Sequence, residues 1–143
     1  MLVYTFRTFP YITELEECFG EIFVFSQLKQ DWTGFEKLLD HQPDSILGVA
    51  LTDGPSREEP IAINRFNHGM VIRGRAERLE LHTPGIFPLA QKTTHTFCNW
   101  TMYHTQNYIN QHNLQTKFSF IHINKNDLSL LWQTRSLEFI GDL

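Results

Sequence analysis

The sequence predicts an α/β chain, a three-layer α/β/α sandwich around a mainly parallel central sheet. Three observations lead there. Ser45 to Leu51 (SILGVAL) is an unbroken apolar run, and Phe118 to Ile123 (FSFIHI) is nearly one. Strands that lack a polar face are covered on both sides, as in parallel sheets. Segments with helical length and flanks, Trp32 to Asp40 and Asn99 to His112, lie between such runs. The resulting order is β, β, α, β, short β segments, α, β, α, which fits parallel strands joined by crossover helices.

Leu2 to Thr5 reads as a short buried strand, and Pro10 breaks the turn after it. Thr13 to Cys18 is a helical turn or a loop, ended by Gly20. Glu21 to Ser26 (EIFVFS) is β-branched and aromatic, hence a strand. The helix over Trp32 to Asp40 has Asp31 or Thr33 as its cap and places Trp32, Phe35, Leu38 and Leu39 on one face, with Pro43 as its stop. Asp53 to Ser56 is a loop. Ile61 to Phe66 and Met70 to Arg73 flank an Asn-His-Gly turn at 67–69 and read as a hairpin. Arg78 to His82 turns Leu79 and Leu81 inward as a strand, and residues 83–95 are irregular, broken by Pro84, Gly85 and Pro88. A last short helix starts at Asp127 or Ser129 and ends near Phe139.

The 143 residues are expected to form a single domain over 1–143, with 41% apolar and 20% charged residues. A net charge of −4 with no basic stripe points away from nucleic acid and from anionic membranes. No apolar run is long enough to span a bilayer, and the first residues show no signal-peptide pattern. Two cysteines, Cys18 and Cys98, read as free thiols, and a cytoplasmic location is the default expectation. Phe supplies 12 of the aromatic residues, enough for an aromatic core or pocket. A Phe-rich surface also admits a homo-oligomer.

Three segments carry candidate chemistry. Cys98 stands at the start of a predicted helix, where partial positive charge and free N–H groups favour a thiolate and an oxyanion. A lone Cys is more often a small buried hydrophobe. His122 lies near the end of the strand that follows that helix, and sites in open α/β sheets gather at carboxyl ends of strands. The ordinary alternative is a hydrogen-bonded core His. Glu58-Glu59 precedes Pro60-Ile61-Ala62-Ile63-Asn64, and a carboxylate there is able to orient an imidazole. Acidic pairs are otherwise solvated loop residues. His68, His82, His95 and His104 match no standard metal spacing, so no metal is expected.

Taken in order, these segments resemble pyroglutamyl peptidase I (pyrrolidone-carboxylate peptidase), a family of cytosolic cysteine peptidases. Thr5-Phe6-Arg7-Thr8-Phe9 is similar to the family's Thr-Gly-Phe-x-Pro-Phe first loop, without its Gly and Pro. Leu38 to Val49 resembles the helix end, Pro-Asp and buried strand of the family. Glu59-Pro60-Ile61-Ala62-Ile63-Asn64 matches Glu-x-x-Ala-x-Asn. Thr96-Phe97-Cys98-Asn99 matches Gly-Thr-aromatic-x-Cys-Asn with one residue missing and His95 in place of the Gly. Phe120-Ile121-His122-Ile123 matches Phe-Ile-His-aliphatic. The likeness runs from about Leu2 to about Trp132.

The resemblance implies removal of an N-terminal pyroglutamyl group from a peptide substrate, with Cys98 as nucleophile, His122 as general base and acid, and Glu59 orienting His122. Phe6, Phe9 and Phe97 would wall the slot for the flat lactam ring, and no cofactor or metal is needed. The family also has an oxyanion Arg after Ala-x-Asn, for which Arg65, Arg73 and Arg75 are candidates without a motif match. The helix that the family carries before its nucleophile strand has no counterpart in Leu81 to Ile86. A second reading is a non-catalytic member of the same fold, serving as a binding or interaction module.

Overall fold

The computed structural model describes residues 1–66, 70, 71, 77–93 and 96–133. In chain order the elements begin β1 (Leu2–Phe6), α1 (Ile12–Phe19), β2 (Phe23–Phe25), α2 (Leu28–Leu39) and β3 (Ser45–Leu51). Short strands follow: β4 (Arg57–Glu58), β5 (Ile61–Ile63), β6 (Arg65–Phe66), β7 (Met70–Val71) and β8 (Arg78–Glu80). Then come α3 (Phe97–Gln111), β9 (Lys117–Ile123), a 3-10 turn over Lys125–Asp127 and α4 (Leu128–Gln133). The remainder of the last helix, expected to reach Phe139, lies outside the described residues.

The main sheet has the order β2-β1-β3-β9-β4. Its first four strands are parallel, and β4 runs antiparallel along the β9 edge. The two apolar runs of the sequence are its central pair, in register from Ser45↔Lys117 to Leu51↔Ile123. Alternation along these strands splits the core between two faces. Tyr4, Ile46, Phe118 and Phe120 pack beneath α2 and α3, with Phe35, Leu39 and Met102. Val3, Leu47, Val49, Ile121 and Ile123 pack on the other face, with Leu15 of α1 and Leu131 of α4. Each such fully buried side chain contributes about 1.5–3 kcal/mol. This is the α/β/α sandwich that the sequence predicts.

Gly48 makes the first face possible. Its neighbours across the ladder are Tyr4 and Phe120, and both rings lean over it. A Cβ there would stand 2.5 Å from Phe120 Cδ2 and 2.7 Å from Tyr4 Cζ. The missing side chain lets Tyr4 reach α3, where its hydroxyl donates to Thr101 Oγ1 at 2.8 Å.

Four local expectations change. Residues 12–19 form a full helix, α1, ended by Gly20 at φ +84°. Helix α2 starts one turn earlier than expected, with Gln27 as a cap that makes no side-chain bond. Asp31 instead reaches back, and its Oδ2 accepts the N–H groups of Ser26 at 2.6 Å and Gln27 at 2.8 Å. Those bonds hold its carboxyl below the usual value of 3.8. The single hairpin expected over residues 61–73 is two pairings: β6 meets β7, but β5 pairs with β8, Ala62 opposite Leu79. Asn64 pins this longer connection, its Oδ1 accepting the N–H of Glu77 at 2.8 Å.

Helix α3 differs from an ordinary surface helix, with ten of its fifteen residues buried, among them the polar Asn99, Thr101, Thr105 and Gln106. It packs against β9 and also against β5, β6 and β8. The small antiparallel strands thus cover the helix that begins at the candidate nucleophile.

Candidate active site

The chain leaves β1 toward β2 and returns past it to β3, so the connections part between β1 and β3. Ligand sites of open α/β sheets form outside the carboxyl ends of strands at such a point. A cavity of about 270 Å³ opens there. Phe6, Thr8 and Phe9 line it after β1, Ala50 to Thr52 after β3, and His122 near the end of β9. Arg57 of β4 and Thr96, Phe97 and Cys98 at the start of α3 complete the described wall.

Thr96 caps α3 in extended conformation, and its hydroxyl oxygen accepts the N–H of Cys98 at 3.3 Å. Cys98 therefore sits in the first turn, 3% exposed, at the positive end of the helix dipole. The Thr101 hydroxyl donates to the Cys98 carbonyl at 2.8 Å and accepts from Tyr4, tying this turn to β1. Burial is the largest influence on the thiol and pushes it up to about 12. The Thr96 hydroxyl and the Arg57 guanidinium pull it down, and the Glu59 carboxylate adds to the upward push. The resting thiol is protonated at neutral pH.

His122 is 6% exposed, and its Nδ1 lies 2.8 Å from Oε2 of Glu59. A carboxylate accepts, so Nδ1 carries the proton and Nε2 is the acceptor in the neutral ring. Glu59 follows β4 directly, and its N–H donates to the Phe120 carbonyl at 2.9 Å. Its carboxylate is 1% exposed, and Oε1 has no hydrogen-bond partner. The two acidic neighbours are thus buried, not solvated.

Glu58 points the other way along the extended chain. Its carboxylate accepts the N–H groups of Gly85 at 3.1 Å, Ile86 at 2.5 Å and Phe87 at 2.9 Å. Residues 81–86 hold no helix, as their sequence implies, and this buried carboxylate organises the loop instead. Asn99, one residue past Cys98, is wholly buried. Its amide donates to the carbonyls of Ile63 and Arg65 and accepts the N–H of Ile63, which locks α3 to the Ala62-Ile63-Asn64 segment.

The three phenylalanines expected to form a slot differ in setting. Phe6 and Phe9 are buried, at 4% and 3% exposed, and Phe97 is 41% exposed at the rim. Phe6 and Phe97 meet edge to face, with centroids 4.7 Å apart. All three line the cavity. Arg65 spends its guanidinium on the carbonyl and Oδ1 of Asn64 and is absent from the described wall. Arg73 and Arg75 lie outside the described residues. The cation on the wall is Arg57, which sequence reasoning missed because it belongs to none of the recognised motifs. Thr96 had a visible signal, a Thr at the head of a predicted helix.

No protein-family model matches the chain, and no curated protein matches it by sequence. Solved structures do. Pyroglutamyl peptidase I from Bacillus amyloliquefaciens superposes with a TM-score of 0.68 at 20% identity, over 98% of this chain and 91% of that one. A mutant pyrrolidone carboxyl peptidase from Pyrococcus furiosus gives 0.69 at 17% identity, over 97% of this chain and 96% of that one. The chain has the pyroglutamyl peptidase I fold. The pyrrolidone carboxyl peptidase from Thermus thermophilus gives 0.61 at 16% identity, over 97% of each chain. These identities mark a divergent form of the pyroglutamyl peptidase fold.

Within this pyroglutamyl peptidase fold the described candidates His82 and His104 are absent from the cavity wall. The His104 ring packs against Trp32 and Trp100. His82 is half-buried, its Nε2 shut from solvent without a hydrogen-bond partner, and desolvation lowers its affinity for a proton. His68 and His95 lie outside the described residues. Among the described residues no three His, Cys, Asp or Glu side chains gather in a group suited to a metal, and no helix is long and apolar enough to cross a membrane.

Proposed function

We propose that the chain is a cysteine-dependent omega-peptidase that removes N-terminal pyroglutamyl groups from peptides. One observation carries the reading: Cys98 and His122 line the same cavity, and Nδ1 of His122 is held by the buried Glu59. A thiol, an imidazole and an orienting carboxylate are the parts of nucleophilic acyl transfer. The fold likeness and the aromatic wall of Phe6, Phe9 and Phe97 favour the flat, neutral lactam as the acyl group.

In this mechanism the Cys98 sulfur attacks the carbonyl carbon that joins the lactam ring to the next residue. His122 Nε2 takes the thiol proton as the C–S bond forms. The tetrahedral oxyanion collapses, the C–N bond breaks, and His122 passes its proton to the leaving amine. A thioester to Cys98 remains. Water then attacks this thioester with His122 as base, the C–S bond breaks, and the proton returns to the sulfur. The products are pyroglutamate and the shortened peptide. Glu59 keeps the imidazole in the required tautomer and stabilises the imidazolium between the steps.

Acid quench during turnover of a pyroglutamyl ester, followed by mass spectrometry, is expected to find the acyl group on the Cys98 peptide. Wild-type protein that turns over with no adduct on Cys98 would refute the covalent route.

A further inference from the structure

We propose that Arg57 is a positioning residue of this site: it holds the carboxylate of Glu59 behind His122 and fixes a positive charge on the wall that Cys98 lines. The proposal rests on the reading of Cys98 and His122 as the reacting pair.

Arg57 and Glu59 are two residues apart on an extended segment, so their side chains leave on the same side while Glu58 leaves on the other. The β4–β9 ladder sets Arg57 directly opposite His122. The guanidinium divides its fork, with Nε donating to Glu59 Oε2 at 3.0 Å and Nη1 to Thr52 Oγ1 at 3.1 Å. Thr52 directly follows β3 and is itself fixed, its hydroxyl oxygen accepting the Gly54 N–H at 3.2 Å. Arg57 and His122 therefore converge on a single oxygen, Glu59 Oε2.

The second oxygen, Oε1, has no partner and is shut away from solvent. The carboxylate takes its orientation from Oε2 alone. With Arg57 removed, the imidazole would be the only side chain holding a buried negative charge, and such a charge demands pairing. A Lys offers one point charge where Arg offers two bonds in a fixed plane, so Lys preserves the sign but not the clamp.

The charge also acts across the cavity. The titratable groups that act on the Cys98 thiol are Tyr4 from β1 and Arg57 and Glu59 from β4 and the residue after it, and His122 from β9 lines the same cavity. Among the described lining residues, Arg57 is the one Lys or Arg. Without it the negative charge of Glu59 stands unopposed, and ionisation of the thiol becomes harder.

The test uses the full chain with Cys18→Ser, which leaves Cys98 as its single thiol. The rate of Cys98 alkylation by iodoacetamide is followed against pH for Arg57, Arg57→Lys and Arg57→Gln, beside kcat and KM for a pyroglutamyl substrate. Arg57→Gln is expected to alkylate about tenfold more slowly at each pH below the plateau, a shift of about one pH unit. Its kcat falls about 10- to 100-fold while KM changes less than about threefold. Arg57→Lys keeps the alkylation profile and recovers part of kcat. An alkylation profile unchanged in Arg57→Gln overturns the proposal, as does an unchanged kcat. If Arg57→Gln does not fold, wild-type kcat in Arg57→Lys overturns it instead. Alkylation needs no substrate. Slowed alkylation in Arg57→Gln, with a wild type that hydrolyses nothing, would overturn the peptidase reading and keep the charge assignment of Arg57.

Discussion

Glu59 Oε2 lies 2.8 Å from His122 Nδ1, and both side chains are buried. The pair is assembled from the residue that follows the edge strand β4 and from the central strand β9, distant in sequence. It fixes which ring nitrogen carries the proton and leaves Nε2 as the base.

Glu59→Gln keeps the shape of this contact and removes its charge. The imidazolium formed during acyl transfer then lacks its counter-ion. We expect kcat to fall about 10²- to 10⁴-fold, with KM within about threefold of wild type. Steady-state kinetics on protein of unchanged circular dichroism checks this. A kcat within threefold of wild type would remove Glu59 from the mechanism.

Alkaline pH is expected to destabilise the fold in a defined window. Burial raises the Cys98 thiol from its ordinary 9.0 to about 12, and raises the Tyr4 hydroxyl well above 10.0. Between those values the folded chain keeps protons that the unfolded chain has lost. Stability is therefore complete below about pH 9 and declines as pH rises toward 12, by about 1.4 kcal/mol per pH unit for each group. Urea unfolding at a series of pH values reads the slope. Cys98→Ser should flatten it between pH 9 and 11, and an identical slope in that variant contradicts the assignment.

Gly48→Ala tests the packing under α3. The added methyl meets Phe120 and Tyr4 ring carbons at 2.5 and 2.7 Å, so both rings must shift. We expect a loss of about 1–3 kcal/mol. Activity should fall as well, because Tyr4 tethers the first turn of α3 through Thr101. Equilibrium denaturation with wild-type stability would show that the rings relax freely.

Glu58→Ala leaves three backbone N–H groups, those of Gly85, Ile86 and Phe87, without their acceptor. A loss of about 3 kcal/mol is expected. Amide exchange at residues 85–87 should accelerate by more than exchange in β3. Uniform acceleration, or none, would mean that Glu58 does not organise this loop.

The apolar runs of β3 and β9 announced the centre of the sheet, because strands covered on both faces cannot hide their composition. Cys98 and His122 were legible through short motifs in the right order. Arg57 and Glu58 were not legible. Their placement comes from β4 pairing along the β9 edge, and a two-residue strand has no periodicity to read. Pairing of β5 with β8 over β7 was hidden for a related reason: a nearby Asn-His-Gly turn outweighs, in sequence, a distant partner chosen by how Ala62 and Leu79 pack on α3.

The central claim is that Cys98 is the nucleophile of a pyroglutamyl peptidase. Release of the chromophore from a pyroglutamyl p-nitroanilide, by wild type and by Cys98→Ala, tests it most directly. The expected result is steady hydrolysis by wild type and none above background by Cys98→Ala. Hydrolysis at the same rate by both proteins would contradict the nucleophile. Folded wild type that releases no chromophore would contradict the activity and leave the binding-module reading in its place.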